Sequence, residues 1–403
     1  MPERDNQKIN ILILVLLIAT ILSRFARVLP FMAPYRSLII GVALLFVFIF
    51  FPYRLLRDND FDVKVHYLLG GIIIVTIIAT IRSCLMPVPV HIGNKWLSLF
   101  GNEHCMYLMA TPVFIYLGTY IGNVRKINKA VWLYLIACIW SFFVDGLFLL
   151  PVAWVAGVIF PYVNRQYRLL IIIALAESIY AAFFRDGTVR TQIIVLAISF
   201  LSYYIPHRIQ SLTFARIMCY TMFFVPLFYT SYTLISPGFS AIEVALSLFD
   251  GSHDTDLTAD SRTFLFYEME SDLTKNDAWL FGKGAYSFYY SPYFSLAEGD
   301  SPYRIASEVS ILNLLMRGGI VYVILYYSII FIAIRKALYY GNNKFVWSIA
   351  IMASGWTLVS CFSAELGTNF FHLCIFLLIG CCMSNEILDM SDEEITENIQ
   401  IDS

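Results

Sequence analysis

Long apolar segments alternate with short polar ones along most of the chain, and this pattern predicts helices that span a membrane. About twelve segments, each of roughly 15 to 24 residues, have the length and apolarity that a helix needs to cross a bilayer. The predicted spans are Ile9–Ser23, Ser37–Tyr53, Val65–Leu85, Met106–Ile121, Ala130–Val144, Leu147–Pro161, Leu169–Phe184, Thr191–Ile205, Ile217–Ile235, Val309–Ile334, Phe345–Phe362 and Phe370–Ser384. The sequence therefore predicts an all-α polytopic membrane protein. Its weakest pair of spans follows Lys129 and depends on a turn at Asp145-Gly146.

One long polar segment, Ser236 to Glu308, interrupts the apolar pattern. It holds twelve acids against four bases, which gives it a formal charge of −8. Long loops between spans usually carry function, although a solvated spacer without chemistry is the alternative. The chain then divides into a bundle of about nine helices over 1–235, the loop over 236–308, about three helices over 309–384 and an acidic tail over 385–403.

Composition supports this division and excludes a soluble globular protein. The chain is 59% hydrophobic and only 14% charged, whereas soluble domains carry about 25% charged residues. The mean hydropathy is +0.71. The net charge of −2 identifies no partner, and we expect no nucleic-acid binding.

Lysine and arginine positions predict the orientation. With the N-terminus in the cytoplasm, fifteen of the 27 bases fall in short inside segments, where the positive-inside rule has force. An even number of spans returns the tail to the cytoplasm, and its acidic composition favours disorder. The loop then faces outward.

Several outward or buried charges oppose this rule. Arg185 and Arg190 flank a tight outer turn, and a functional role would explain why two arginines are retained there. Snorkelling to phospholipid headgroups is the alternative, and it is an equally good account of the arginines near the first outer loop. Glu177 lies within a span, where either a functional role or a helix–helix hydrogen bond accounts for it.

The loop has its own local order. Asp260-Ser261 is typical of a helix cap, and the following residues predict an amphipathic helix with Arg262 in its first turn and an end near Lys275. Gly282 and Gly284 permit a tight turn and a close backbone approach to a ligand, although G-x-G alone is a weak signal.

Aromatic and charged residues follow the glycines. Tyr289 and Tyr290 belong to an aromatic run that either stacks on sugar faces or anchors the loop at the membrane interface. Arg304 and Glu308 are four residues apart, so one helical face would hold both. Arg317 falls inside the next span, where a guanidinium is costly unless it faces a cavity or a partner.

The order of these features resembles the bacterial O-antigen polymerase and O-antigen ligase family, over roughly 184–322 in sequence and over the whole chain in topology. The matching features are the outer turn with Arg185 and Arg190, Ser261-Arg262 before a helix, the segment DAWLFGKG from Asp277 to Gly284, and the segment EVSILNLLMRGG from Glu308 to Gly319. Each motif is weak, and the combination on one membrane face is more specific. The ligases have a histidine near the end of the loop, where this chain has Glu308, and this difference favours a polymerase.

The resemblance implies a C-type glycosyltransferase-like fold in the bacterial inner membrane, with a large periplasmic loop. It implies a glycan donor on undecaprenyl pyrophosphate, with membrane lipid as surroundings and a chain-length regulator protein as a candidate further partner. Arginines bind phosphate bidentately and stay charged. We therefore expect Arg262, Arg190 and Arg304, supported by Arg185, to bind the pyrophosphate leaving group.

Glu308 is the best-placed carboxylate to remove a proton from the acceptor hydroxyl, and at the junction of loop and span we expect it to be partly desolvated. Catalysis is thus expected from Glu308 and Arg262, with substrate binding by Arg185, Arg190, Arg304, Arg317, Tyr289 and Tyr290. The histidines are scattered, so we expect no metal and no other cofactor.

Three alternatives remain at this stage. An O-antigen ligase would share the topology. A transporter of lipid-linked oligosaccharides would also have about twelve spans, more often with internal repeats and broken helices. A receptor or assembly protein would use the loop as a binding surface.

Overall fold

A computed structural model describes residues 3–28, 35–56, 60–85, 103–137, 150–184, 189–235, 263–292, 303–363 and 370–400. These residues form fifteen α-helices, several short 3₁₀ or π turns and one two-stranded sheet. The helices are α1 (Glu3–Val28), α2 (Arg36–Phe50), α3 (Val63–Leu85), α4 (Glu103–Leu117), α5 (Gly122–Ala137), α6 (Leu150–Ile159), α7 (Arg165–Phe184), α8 (Val189–Tyr204), α9 (Leu212–Ile235), α10 (Thr263–Lys275), α11 (Ser310–Tyr340), α12 (Lys344–Phe362), α13 (Phe370–Cys381), α14 (Asn385–Asp389) and α15 (Asp392–Ile399). The strands are β1 (Tyr289–Tyr290) and β2 (Tyr303–Arg304).

The core of the bundle lies around α12 and α13. In the most apolar window of α12, 83% of the residues are buried, against 22% in α9. Helix α12 packs against α8, α9 and α11, and α13 packs against α4. Interior packing includes an edge-on contact between Trp154 and Trp356, whose ring centroids are 5.2 Å apart. Helix α9 therefore has a wide apolar surface available to lipid.

Length and apolarity identify six helices among the described residues that can cross a membrane. These candidate spans are Arg4–Ser23, Val63–Leu85, Thr191–Ile209, Leu212–Ile235, Ser310–Tyr340 and Lys344–Phe362. Gly41–Phe50, Val152–Tyr162 and Phe370–Cys381 form shorter apolar helices. The protein is thus an all-α membrane protein, and a helix overlaps each of the twelve predicted segments. How many of these helices cross the bilayer stays a prediction.

Helix α5 begins earlier than the sequence pattern predicts. It starts at Gly122, eight residues before the predicted span at Ala130. The buried Asn123 side chain donates to the carbonyl oxygen of Leu117 at 2.7 Å and so ties the start of α5 to the end of α4. Arg125 and Lys126 therefore lie on the first turns of a helix. The predicted turn at Asp145-Gly146 lies outside the described residues.

The expectation of a disordered tail is wrong for residues 385–400. Helices α14 and α15 occupy this segment, and α15 packs against α5 and α12. Ser391 and Glu394 form a reciprocal capping box at the start of α15. Ile387, Ile395 and Ile399 are fully buried. The acidic composition did not predict these helices, because a few apolar residues at suitable spacing are enough to pack short capped helices against the bundle.

Candidate functional site

The loop helix α10 confirms the predicted amphipathic pattern. Leu265, Met269 and Leu273 are fully buried, whereas Tyr267 is 60% exposed. The buried side lies against α9 and α11. The predicted cap at Asp260-Ser261 lies outside the described residues. Helix α10 thus lies against the bundle as an ordered base for the rest of the loop.

Asp277 ends α10 in a left-handed conformation, with φ of 49°. The amide of Ala278 donates to the carbonyl of Leu273 at 2.9 Å, and the amide of Asp277 donates to that of Thr274 at 3.3 Å. This arrangement is a Schellman motif, in which aspartate takes the place that glycine usually fills. It reverses the chain direction and sends the next residues toward the bundle.

A buried ion pair fixes the returning chain to α10. Lys283 Nζ lies 2.6 Å from Asp272 Oδ2, and the two side chains are 11% and 8% exposed. Lys283 Nζ also donates to the carbonyl of Phe288. Because the charges are largely removed from water, each depends on the other for compensation. Sequence reasoning missed this pair, since the two residues are eleven apart, whereas side chains on one helix contact each other only at separations of three or four.

The glycine segment docks into a break in α11. Gly319 has φ of 69° and ψ of −173°, which interrupts the helix in its second to third turn. The loop amide of Lys283 donates to the carbonyl of Met316 at 2.7 Å, and the amide of Ile320 donates to the carbonyl of Trp279 at 2.8 Å. The amide of Val321 donates to Leu280 at 3.3 Å. Loop backbone thus satisfies polar groups that the broken span leaves without helical partners.

Close backbone contact explains the glycines on both sides of this junction. A Cβ on Gly282 would lie 2.6 Å from the carbonyl oxygen of Arg317, and one on Gly284 would lie 2.6 Å from Ser83 Oγ at the end of α3. Both glycines have positive φ values, 66° and 124°. The predicted tight turn is therefore confirmed, but the close approach is to the protein's own backbone rather than to a ligand.

Arg317 lies directly at this junction and is 1% exposed. It belongs to the first turns of α11, and its own backbone carbonyl is the one that Gly282 approaches. The sequence placed Arg317 inside a span, and the structure adds that its side chain is buried while its backbone carbonyl faces the docked loop.

The second feature of the loop is a cluster around Tyr289, hereafter the tyrosine cluster, made of Tyr289, Arg304, Glu308 and Glu268. Strands β1 and β2 pair antiparallel, with Tyr289 opposite Arg304. Tyr289 is fully buried. Burial raises the pKa of its phenol to about 12, and among the nearby charges Arg304 lowers this pKa while Glu268 and Glu308 raise it. One cation and two carboxylates therefore act on a single phenol.

Sequence reasoning placed Arg304 and Glu308 on one helical face, and this expectation is wrong. Arg304 lies in β2, and α11 begins only at Ser310. Ser307 lies between β2 and α11. The Asn313 side chain accepts from the Ser307 amide at 2.7 Å and donates to the Ser307 carbonyl at 2.8 Å. Extended backbone is favoured here because Asn313 satisfies the polar groups that a helix would otherwise pair.

The side chain of Glu308 is exposed, which corrects the expectation that it is partly desolvated. The neighbouring Ser307 is buried and anchored by Asn313, so the backbone beside this carboxylate is fixed while its side chain reaches solvent. Glu268 was not singled out from the sequence. It lies on the inward side of α10 and is only 8% exposed, a position that the helical spacing of Leu265 and Met269 could have indicated.

The remaining predicted residues fall in different places. Tyr290 is 47% exposed, and its ring meets that of Tyr303 at 5.6 Å in an edge-on contact. Arg185 and Arg262 lie outside the described residues. The backbone of Arg190 belongs to the first turn of α8, and its side chain lies outside the described part of the chain. The structure thus brings together Tyr289, Arg304 and Glu308 from the predicted set.

Within the described ranges, no group of three or more His, Cys, Asp or Glu residues is arranged to hold a metal ion. The prediction of metal-independent chemistry stays a prediction.

Comparison with known proteins adds no relative. No protein-family model matches the chain, and neither a curated protein nor a solved structure matches it significantly.

Proposed function

We propose that this protein is a polymerase of a bacterial surface glycan, such as O-antigen. It transfers the growing glycan from undecaprenyl pyrophosphate to a lipid-linked repeat unit on the periplasmic face of the inner membrane. In this proposal both termini are cytoplasmic, the spans number about twelve, and the protein acts in lipopolysaccharide or related polysaccharide biosynthesis. A chain-length regulator is a candidate partner.

One observation carries the proposal: the part of the loop that the structure describes, 263–292 and 303–308, gathers a cation, two carboxylates and a phenol next to the start of the broken helix α11. Tyr289 in β1 lies opposite Arg304 in β2, Glu308 follows four residues later, and Glu268 adds a fourth group from α10. A solvated spacer has no need of a buried ion pair such as Lys283–Asp272. Preorganised charges at a membrane surface are what transfer from a lipid-linked donor requires.

The chemistry assigns a role to each group. The acceptor hydroxyl oxygen attacks the anomeric carbon of the donor, and the bond between that carbon and the phosphate oxygen breaks. The pyrophosphate leaves with the bonding electrons, and Arg304, assisted by Arg190, Arg262 and Arg185, compensates its growing charge. Glu308 accepts the acceptor's proton, and its exposed side chain beside a fixed backbone is accessible to an acceptor hydroxyl.

Two residues support binding in this scheme. Tyr290, which is half exposed, offers a ring face to a sugar. Arg317 is buried on α11, two turns after the start of the helix at Ser310. Its charge raises the local potential for an anionic substrate without touching it.

Glu308→Gln in purified protein, supplied with lipid-linked repeat units, tests the proposal. We expect substrate binding to remain and chain extension to slow by about 10² or more, since the amide cannot accept the proton. Glu270→Gln makes the same change on α10 outside the tyrosine cluster, and it should extend chains normally. Normal long chains from Glu308→Gln would remove Glu308 as the base. If wild-type protein extends no chain from any lipid-linked substrate, the polymerase proposal fails.

The break in α11 favours a second candidate, a transporter of lipid-linked oligosaccharides, because broken helices are typical of transporter sites. Gly319 supplies this break within a candidate span. The two functions differ in products. A transporter moves the labelled lipid-linked unit across vesicles without lengthening it, whereas a polymerase lengthens it.

A further inference from the structure

A second site lies at the opposite end of the bundle from the loop, as judged by the predicted orientation. An open groove of about 870 Å³ forms where α1, α5 and α15 meet. It is hereafter called the tail groove. None of the residues that line it is assigned to glycan transfer, so this inference does not depend on the proposed function.

The two long walls of the tail groove change from polar to apolar in the same direction. On α1, Asn6 and Asn10 line one end, and Leu14 and Leu17 line the other. These residues recur at helical spacing, so they form one stripe that extends about 16 Å along the helix. The groove therefore has a polar mouth and an apolar floor.

Helix α5 repeats this gradient and adds charge. Arg125, Lys126 and Lys129 line the polar mouth, and Leu133 lines the apolar end. Glu397 from α15 is the one acid among the lining residues, so the mouth keeps a positive excess.

The three cations lie near the N-terminal end of α5, which is an unfavourable position for positive charge in a helix. The first turn of α5 contains no acid, and the helix dipole already makes an N-terminus positive. Lys126 is partly buried, and burial lowers its pKa to about 8. Its Nζ donates to Asn123 Oδ1 at 2.9 Å. A bound anion would offset both the dipole and the desolvation of this ammonium.

The apolar end lies where lipid is available. Leu14 is 49% exposed and Leu133 is 53% exposed. Leu14 also belongs to the candidate span Arg4–Ser23. A free anion would use only the mouth, whereas a phospholipid would use the whole length of the groove.

We propose that the tail groove binds an anionic membrane phospholipid, with its phosphate beside Arg125, Lys126 and Lys129 and an acyl chain along Leu14, Leu17 and Leu133. The tail helix α15 closes one side of the site through Glu397 and Asn398. The lipid would therefore tie the first span, α5 and the C-terminal helix together.

Native mass spectrometry of the full chain in detergent tests this directly. Phosphatidylglycerol and phosphatidylcholine are added in matched series, and the lipid retained per protein is counted. We expect saturable retention of phosphatidylglycerol at a concentration at least about tenfold lower than that of phosphatidylcholine. Equal retention of the two lipids would overturn the proposal without any variant being needed.

Variants locate the site. In Lys126→Gln/Lys129→Gln, phosphatidylglycerol affinity should fall on the order of tenfold, since each cation near a membrane surface contributes severalfold. Arg54→Gln/Lys64→Gln removes two exposed cations from the same predicted face outside the groove, so it should retain wild-type affinity. An equal loss in both double variants would mean diffuse surface attraction rather than a site.

Two further experiments distinguish a phospholipid from a soluble phosphate ligand. Inorganic phosphate or glycerol 3-phosphate, at millimolar concentration, should fail to displace the lipid, because neither uses the apolar end. Leu133→Asn, with all cations in place, should weaken lipid retention. Displacement by glycerol 3-phosphate together with unchanged retention in Leu133→Asn would assign the groove to a soluble phosphate ligand and refute the lipid.

Discussion

Gly319→Ala is expected to undock the loop from α11. An alanine Cβ at this position would lie 2.2 Å from the carbonyl oxygen of Leu280, so backbone must move. The φ of 69° and ψ of −173° at this position lie in a region that essentially only glycine adopts, which costs an alanine a further ~1–3 kcal/mol. Movement at this point also weakens the three loop-to-helix hydrogen bonds donated by Lys283, Ile320 and Val321, each worth about 1 kcal/mol.

Together the backbone strain and the weakened hydrogen bonds lower the free energy that holds the loop in place by about 3 to 5 kcal/mol. Hydrogen exchange measures this quantity at single amides. The amides of Lys283 and Ile320 should exchange about 10² to 10⁴ times faster than in the wild type, while amides in α12 keep their protection.

Gly70→Ala is the matched control, since an added Cβ at Gly70 in α3 meets nothing within 4 Å. It should leave loop exchange unchanged and slightly stabilise α3, because alanine is the better helix former. Wild-type exchange in Gly319→Ala, or equal acceleration in Gly70→Ala, would refute the argument that the loop backbone completes α11.

Three further predictions test other parts of the structure. Lys283→Met should destabilise the docked loop by about 3 kcal/mol, because it leaves the buried Asp272 carboxylate uncompensated. In a proteolysis assay, Lys283→Met/Asp272→Leu should recover much of this lost stability. Equal stability of the single and double variants would contradict the prediction. Loop stability should be complete below pH 10 and fall as pH rises through about 12, since folding favours the protonated phenol of Tyr289; the fall should be smaller in Tyr289→Phe, as followed by hydrogen exchange. A reporter active only outside the cytoplasm should be active when fused after Asp250 and inactive after Lys129, and activity at both points would reverse the orientation.

The helices were largely predictable because their apolar runs are long. The loop helix was predictable for a related reason: Leu265, Met269 and Leu273 recur at the spacing of one helical face. In both cases the signal is local, so neighbouring residues along the chain are sufficient to reveal it.

The loop's tertiary contacts were not predictable in the same way. The Lys283–Asp272 pair and the docking of Gly282 against Arg317 join residues with no periodic relation. Glycines at 282 and 284 indicated a close approach to something, but spacing could not distinguish a ligand from the protein's own backbone. Arg304 was assigned to a helix from its distance to Glu308, whereas pairing with β1 decides its conformation. Long-range backbone pairing overrides local preference here.

The break at Gly319 has a consequence for how the protein is assembled. A span normally contains all of its own hydrogen bonds, and so it can insert as a finished unit. Helix α11 instead depends on Trp279 and Leu280, which precede it in synthesis and, in the proposed orientation, must cross the membrane first. In that orientation, translocation of the loop is a precondition for completing α11, and damage to the loop would be transmitted directly to a helix inside the bilayer.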